Sequence, residues 1–143
     1  MKKILPILYA EDNENDIELT LSALKECNLQ NKIDVVRDGQ QVLDYLNCEG
    51  EFKEREKVNP LMVLLDNKMP KLDGIQVLQI IKTDLSLKTI PVVMLTSSEM
   101  ETDIAQSYNL GVNAYVVKPI DFEEFIKVVK EIGIFWALVN KNN

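Results

Sequence analysis

The segment Met62–Gly74, with the sequence MVLLDNKMPKLDG, decides the fold because four apolar residues run directly into a carboxylate. A short run of Met, Val and Leu bounded by turn residues is typical of a strand that is buried on both faces. Asp66 ends this run, and Pro70 and Gly74 interrupt the chain before a helical pattern begins. An acid is expected at this position if the carboxyl ends of parallel strands meet there, because ligands and chemistry collect at that edge of a sheet.

Apolar segments and helical patterns alternate along the whole chain. Segment 48–60 mixes charges of both signs without apolar periodicity, so we expect a solvated loop there. Five strand–helix pairs predict an α/β fold, a flavodoxin-like doubly wound five-stranded parallel sheet in the order 2-1-3-4-5 with five helices, in one domain over residues 1–143. The predicted strands are 4–10, 32–39, 61–66, 90–96 and 114–118, and the predicted helices are 13–28, 40–47, 74–83, 99–111 and 121–140.

The composition limits the classes of function. The chain of 143 residues is 46% hydrophobic and carries 16 basic against 23 acidic residues, for a net charge of -7. This charge repels nucleic-acid backbones and anionic lipid, so we expect neither a nucleic-acid nor a membrane partner. The first apolar run is too short for a membrane span and meets an acid at Glu11. Cys27 and Cys48 lack metal-type spacing and are expected to be reduced thiols of a cytoplasmic protein.

The other predicted strands also end on residues with functional groups. Glu11 and Asp12 follow the first strand, Thr96 ends the fourth, and Lys118 ends the fifth. A parallel sheet would bring these residues and Asp66 to one edge. Clustered carboxylates raise one another's pKa unless a cation neutralises them, and oxygen ligands of this kind suit Mg²⁺. One carboxylate oxygen could then attack phosphorus while the ammonium and the hydroxyl bind phosphoryl oxygens, which predicts phosphoryl transfer to Asp66.

Each of these residues taken alone has a structural explanation. A strand-end acid is usually a solvated cap, a lysine is usually a surface charge, and a threonine is often a turn cap. Tyr115 alternates with Val116 as a partly buried strand residue does. The ordered set at the strand ends is therefore what indicates a function.

In order and position these residues resemble the receiver domain of response regulators in two-component signalling, over essentially the whole chain. The resemblance implies that Glu11 and Asp12 bind Mg²⁺, with Asp12 as the direct ligand. It implies that Asp66, which the motif MPKLDG follows, is the phosphoacceptor. It also implies that Thr96 and Lys118 contact the phosphoryl group, as the hydroxyl and the ammonium of the site.

The same resemblance assigns a switch and a backbone feature. Small Ser97 after Thr96 leaves room for the phosphoryl group, and Tyr115, three positions before Lys118, is the aromatic residue that moves with Thr96 on phosphorylation. The family usually has a cis peptide bond between the lysine and the following proline, here Pro119. Phosphoryl acceptance and hydrolysis are self-catalysed in this family, so we expect no turnover enzyme.

One position departs from the family pattern. Two residues after the acceptor, the family offers a backbone carbonyl to the metal, often from an asparagine, and this chain has Lys68. The carbonyl of Lys68 could still bind Mg²⁺, but its ammonium could weaken the metal site or change the lifetime of the phosphoryl group. The alternative to a phosphoacceptor is therefore a receiver-like docking module that is not phosphorylated.

The partners follow from composition and resemblance. The chain contains no histidine, so it cannot be the kinase, and the resemblance implies a sensor histidine kinase as the phosphoryl donor. We expect no attached output domain, so the signal would leave through an unknown downstream protein.

An unusually apolar last helix, which includes Phe135 and Trp136, favours a partner surface, with a homodimer through helix four, strand five and helix five as one candidate. The alternative is that these residues cover the amino-terminal edge of the sheet, and the FW pair also resembles single-domain receivers partnered with phytochrome-type kinases.

Three other classes fit the sequence less well. If DNENDIELT began a calcium loop at Asp12, Ile17 would stand where that loop needs glycine and Ala23, beyond the quoted segment, where it needs glutamate. A phosphatase of the haloacid dehalogenase type would need a second acid at the position of Lys68. A flavodoxin-like binder of small molecules would need a glycine-rich phosphate loop, but the five glycines are scattered.

Overall fold

The computed structural model describes residues 3–97 and 106–141, which form a five-stranded parallel sheet in the order β2-β1-β3-β4-β5. The predicted sheet order is confirmed. Residues 106–109 are helical and are named α4, and positions 99–105 of the predicted helix 99–111 lie outside the described residues. The strands are β1 (Ile7–Ala10), β2 (Ile33–Val36), β3 (Met62–Asp66), β4 (Val92–Thr96) and β5 (Ala114–Val117), and the other helices are α1 (Glu14–Lys25), α2 (Gly39–Asn47), α3 (Gly74–Thr83) and α5 (Phe122–Glu131).

The strand register brings the carboxyl ends of the strands to one edge. Ala10 of β1 pairs with Leu65 of β3, so the residues after Ala10 start beside Asp66. Asp66 in turn pairs with Leu95 of β4. Thr96 pairs with Val117 of β5, which places the residues after β5 at the same edge. The clustering of strand ends predicted from the sequence is therefore a property of the register.

Successive residues of the central strands point to opposite faces of the sheet, and each face carries its own apolar core. Leu8, Val63 and Leu65 belong to the core on the face covered by α2 and α3. Tyr9 and Leu64 belong to the core on the face covered by α1 and α5. Burial on both faces explains the unbroken apolar runs of these strands.

Side-chain caps fix where α1, α3 and α5 begin, as Asp38 does for α2. Asn13 accepts a hydrogen bond from the backbone N–H of Asp16 at 3.0 Å and starts α1. Asp73 and Gln76 form a reciprocal capping box at the start of α3. Asp121 accepts from the N–H of Glu124 at 2.7 Å, so Asp121 caps α5 and forms its half of the predicted capping pair. All three starts lie directly after the functional edge of the sheet or the loop that follows it.

The prediction of one helix over 121–140 is wrong beyond Glu131. Gly133 has φ +80, a left-handed conformation that glycine adopts without steric cost and that ends an α-helix. A short 3-10 turn follows over Phe135–Ala137. Asn140 then forms an antiparallel bridge with Leu29. Apolar spacing alone could not locate this break.

The segment after α5 packs along the amino-terminal edge of the sheet. The buried amide of Asn31 donates hydrogen bonds to the carbonyls of Leu5 at 3.0 Å and Ala137 at 3.3 Å, and accepts one from the N–H of Val139 at 2.8 Å. Ile132, Ile134 and Leu138 pack against the core, as the edge-covering alternative requires. Trp136, by contrast, is 70% exposed.

The segment 48–60 is anchored more firmly than a solvated loop. The Arg55 guanidinium lies 3.9 Å from the ring centre of Tyr45 and donates to the Tyr45 carbonyl at 2.7 Å. Phe52 packs edge-on against the same ring.

Within the described ranges, no helix has the length and apolar character needed to cross a membrane.

Candidate functional site

Three carboxylates gather at the carboxyl ends of β1 and β3. Glu11 and Asp12 directly follow β1, and Asp66 is the last residue of β3. One carboxylate oxygen from each lies within 4.8 Å of the others. Glu11 and Asp66 are buried, whereas Asp12 is exposed. The structure thus brings together the three acids that the sequence analysis selected.

Lys118, which follows β5, reaches into this cluster. Its Nζ lies 2.9 Å from Glu11 Oε1 and 3.0 Å from Asp66 Oδ1. A third carboxylate, that of Asp16, lies 2.7 Å from the same Nζ. The peptide bond between Lys118 and Pro119 is cis, as the resemblance implied. The ammonium therefore joins the ends of β1, β3 and β5 to the first turn of α1.

Burial controls the ionisation of the cluster. Burial raises the pKa of Glu11 to about 7, although the hydrogen bond from Lys118 opposes the shift and the charge of Asp66 adds to it. Burial also raises the pKa of Asp66, against the stabilising contacts of Lys118. Burial alone would lower the pKa of Lys118, but hydrogen bonds to Asp16, Glu11 and Asp66 outweigh it and raise that pKa. The site holds more negative charge than one ammonium neutralises.

Asp16 is the site residue that the sequence analysis missed. Its backbone is held on both sides, because Asn13 accepts from its N–H at 3.0 Å and the Tyr9 hydroxyl donates to its carbonyl at 3.3 Å. Asp16 stands three positions after Asn13, a residue of the N-cap type, and this spacing places Asp16 in the first turn of a helix that begins there. That spacing was the available signal, but it has meaning only once the start of α1 is known.

The remaining predicted residues lie at or near the same edge. Thr96 is buried at the end of β4, and its carbonyl accepts from the N–H of Lys118 at 2.8 Å. Ser97 is exposed directly after it. Tyr115 is half-buried on β5, where it packs against the core on the α2 and α3 face. Lys68 is exposed in the loop after Asp66, so its side chain is not part of the buried cluster.

The MPKLDG loop needs its last residue to be glycine. The N–H of Gly74 donates to the carbonyl of Asn67 at 2.8 Å, which folds the loop back on β3. A Cβ atom at Gly74 would lie 2.5 Å from the Asp66 carbonyl oxygen, closer than side chains tolerate. Glycine therefore allows the start of α3 to pass against the backbone of Asp66.

The donor set of this site fits a hard divalent cation. Glu11, Asp12 and Asp66 supply carboxylate oxygens, the ligands that Mg²⁺ and Mn²⁺ prefer. Burial is the main cause of the raised pKa values of Glu11 and Asp66, and the charge of a neighbouring carboxylate adds to each shift. A bound cation would offset that neighbouring charge. Exposed Asp12 leaves one side of the cluster open to solvent, from which a cation could enter.

Comparisons with known proteins agree with this geometry. The sequence profile of the response regulator receiver domain matches residues 7–130. Response regulator Rcp1 from Synechocystis sp. is 38% identical over 130 residues, 91% of this chain and 87% of that protein. A Mn²⁺-bound structure of response regulator Rcp1 is 37% identical, covers 93% of this chain and 94% of that one, and has a TM-score of 0.76.

Two further solved structures, both of phytochrome response regulators, are similar to this chain. The bacteriophytochrome response regulator RtBRR is 52% identical, with coverage of 99% of this chain and 85% of that chain and a TM-score of 0.89. The phosphorylated cyanobacterial phytochrome response regulator RcpA is 40% identical, with coverage of 94% of both chains and a TM-score of 0.77.

Proposed function

Because this chain belongs to the response regulator receiver domain family of two-component signalling, we propose that it accepts a phosphoryl group from a sensor histidine kinase onto Asp66, with Mg²⁺ in the acidic cluster. The observation that carries the proposal is the contact of Lys118 with Asp66 at 3.0 Å beside the carboxylates of Glu11 and Asp12. A nucleophile, a cation site and a phosphoryl-binding ammonium thus share one edge of the sheet.

The chemistry is a displacement at phosphorus. An Asp66 carboxylate oxygen forms a bond to phosphorus while the bond from phosphorus to the donor's imidazole nitrogen breaks, and the imidazole leaves with the electron pair. The Lys118 ammonium and the Thr96 hydroxyl donate hydrogen bonds to phosphoryl oxygens. Glu11 and Asp12 would hold Mg²⁺, with Asp12 as the direct ligand and the Lys68 carbonyl as a further candidate. When bound, the ion supplies positive charge against the phosphoryl oxygens.

The output is a change of surface rather than a product. Phosphorylation adds negative charge beside Thr96, and movement of its hydroxyl toward that charge would change the packing of Tyr115 on β5. The proposed partners that bind this changed surface are an unknown downstream protein and a second copy of the chain, which would dock through α4, β5 and α5. Light scattering with and without beryllofluoride, a mimic of the phosphoryl group, tests the homodimer, and a monomer in both states would exclude it.

The proposed donor is a phytochrome-type kinase. The support is the identity of 52% to RtBRR, which is described as a bacteriophytochrome response regulator. Transfer of labelled phosphate from an autophosphorylated bacteriophytochrome would test this pairing. Faster transfer from an unrelated histidine kinase at equal concentration would contradict it.

Intact-mass spectrometry with acetyl phosphate and Mg²⁺ tests the phosphoacceptor. We expect one adduct of about 80 Da that EDTA prevents and that Asp66→Asn abolishes. Asp44→Asn, a change of a partly exposed aspartate on α2, is the matched control and should keep the adduct. If neither acetyl phosphate nor a cognate kinase gives an adduct, the chain is the docking module instead. If the adduct forms, its rate of decay in Lys68→Asn compared with the wild type shows whether Lys68 sets the phosphoryl lifetime.

A further inference from the structure

The ammonium of Lys118 is already surrounded by three carboxylates and donates hydrogen bonds to two of them, those of Glu11 and Asp16. It carries three N–H donors, and three carboxylates lie within 3.0 Å of it, those of Glu11, Asp16 and Asp66. An incoming phosphoryl oxygen must therefore compete with these carboxylates for the ammonium. The structure distinguishes the three by their access to water.

Of the three carboxylates, Asp16 is the one for which losing the contact with Lys118 costs the least free energy, because water can replace the lysine. The side chains of Glu11 and Asp66 are 1% and 6% exposed, whereas that of Asp16 is 32% exposed. A crevice of about 190 Å³ lies on the Asp16 side of the ammonium, where water can reach this carboxylate; it is lined by Asp16, Leu19, Thr20, Ser97, Lys118 and Pro119. Glu11 is a buried carboxylate that has no such replacement if it loses its partner, and Asp66 is the group that itself bonds to phosphorus.

Two hydrogen bonds fix the backbone of Asp16, and with it the position from which its carboxylate contacts Lys118. The side chain of Asn13 and the hydroxyl of Tyr9 bind its N–H and its carbonyl, so its carboxylate projects from an ordered helical turn. Its contact with Lys118 is the shortest of the three, at 2.7 Å. Hydrogen bonds between two charged groups are roughly twice as strong as neutral ones. Asp16 therefore holds Lys118 more strongly than an uncharged side chain of the same shape would.

We propose that Asp16 is a positioning residue that holds Lys118 in the unphosphorylated protein and releases it to the phosphoryl group, and so sets how tightly the site binds that group. This inference rests on the proposed function of Asp66. Asp16 also adds negative charge next to the place that an anion must enter. Both effects predict that loss of this charge strengthens phosphoryl binding.

The experiment measures the affinity of beryllofluoride for the Mg²⁺-saturated full chain by amide NMR titration. Asp16→Asn keeps the shape and an acceptor oxygen but loses the charge, and we expect it to bind roughly fivefold more tightly than the wild type. Asp16→Glu keeps the charge and should remain close to the wild type. Glu18→Gln, a change of an exposed acid on the same helix, controls for net charge and should have no effect.

Each outcome decides between a positioning role and its alternatives. Unchanged or weaker binding in Asp16→Asn overturns the inference, as does an equal gain in Glu18→Gln, which would reveal a general charge effect. Asp16→Glu behaving like Asp16→Asn would also overturn it, because geometry rather than charge would then be responsible. If the wild type itself neither binds beryllofluoride nor gains phosphate, the proposed function fails and the inference fails with it.

Discussion

Glu11 and Asp66 are acids that share one ammonium, and their burial makes the free site sensitive to pH. Burial dominates the shift of both carboxyl groups, so neither Lys118 contact restores an ordinary pKa. The charge pattern that suits a cation therefore carries a stability cost when no cation is bound. This cost is measurable at Glu11, because burial raises the pKa of its carboxyl group to about 7.

Glu11→Gln should stabilise the metal-free protein at pH 8 but not at pH 5. The pKa of Glu11 rises from 4.5 to about 7 on folding, so the folded state binds more protons between these values. The free energy of unfolding contributed by this group therefore falls as pH rises through that window. In EDTA, we expect the melting temperature of the variant to exceed that of the wild type by on the order of 5 °C at pH 8, with little difference at pH 5.

Glu18→Gln serves as the control for this prediction because Glu18 is exposed on α1. Calorimetric scans of both variants and the wild type across the pH range give the comparison. A difference between Glu11→Gln and the wild type that does not change with pH would contradict the assigned cause.

The position of each strand-end residue could be predicted from the sequence, but the contact of Lys118 with Asp16 could not. Asp66, Thr96 and Lys118 each follow an apolar run, so a parallel sheet places them together without further information. Asp16 reaches the cluster from a helix, and its direction depends on the cap at Asn13 and on the packing of α1. The sequence pattern contains the acid but not the direction in which it points.

At the scale of elements, the strands were easier to predict than the ends of helices. Unbroken apolar runs identify buried strands because both faces of the sheet are covered. The end of α5 depends instead on the left-handed conformation of Gly133, which apolar spacing does not report. The segment beyond it is fixed by the amide of Asn31, a partner more than 100 residues away in the chain.

Gly74→Ala should disturb both stability and phosphorylation. Its added methyl group would clash with the backbone of Asp66, and overpacking of this kind costs about 1–3 kcal/mol. The start of α3 would move away from β3 and shift Asp66 relative to Lys118. We expect a lower urea midpoint and a slower gain of phosphate from acetyl phosphate, measured by equilibrium unfolding and intact mass.

Gly133→Ala is the control for this prediction. Gly133 has open space around it but a positive φ, so alanine should cost about 1 kcal/mol through backbone strain alone. It lies after α5, far along the chain from the acceptor. A Gly74→Ala variant that takes up phosphate as fast as Gly133→Ala would show that the close approach at Asp66 has no bearing on the site.

At the scale of the whole molecule, the surplus of acidic residues has a general and a local effect. The net charge of -7 gives every added cation some stabilising effect through screening. The cluster of Glu11, Asp12 and Asp66 should give a divalent cation an additional, site-specific effect, because its oxygens converge only in the folded chain. The two effects can be separated, since screening depends on ionic strength and binding depends on the identity of the ion.

Mg²⁺ should therefore raise the melting temperature of the wild type more than NaCl at the same ionic strength. A ligand that binds only the folded state stabilises it by about 1.4 kcal/mol at ten times its dissociation constant, which corresponds to roughly 3–5 °C for a domain of this size. Asp12→Asn removes the exposed ligand while it leaves the buried core unchanged, so the variant should keep the response to NaCl and lose most of the response to Mg²⁺. Scanning calorimetry in matched buffers gives both responses. Equal gains from the two salts in the wild type, or a full Mg²⁺ response in Asp12→Asn, would mean that the acidic cluster does not bind the metal as proposed.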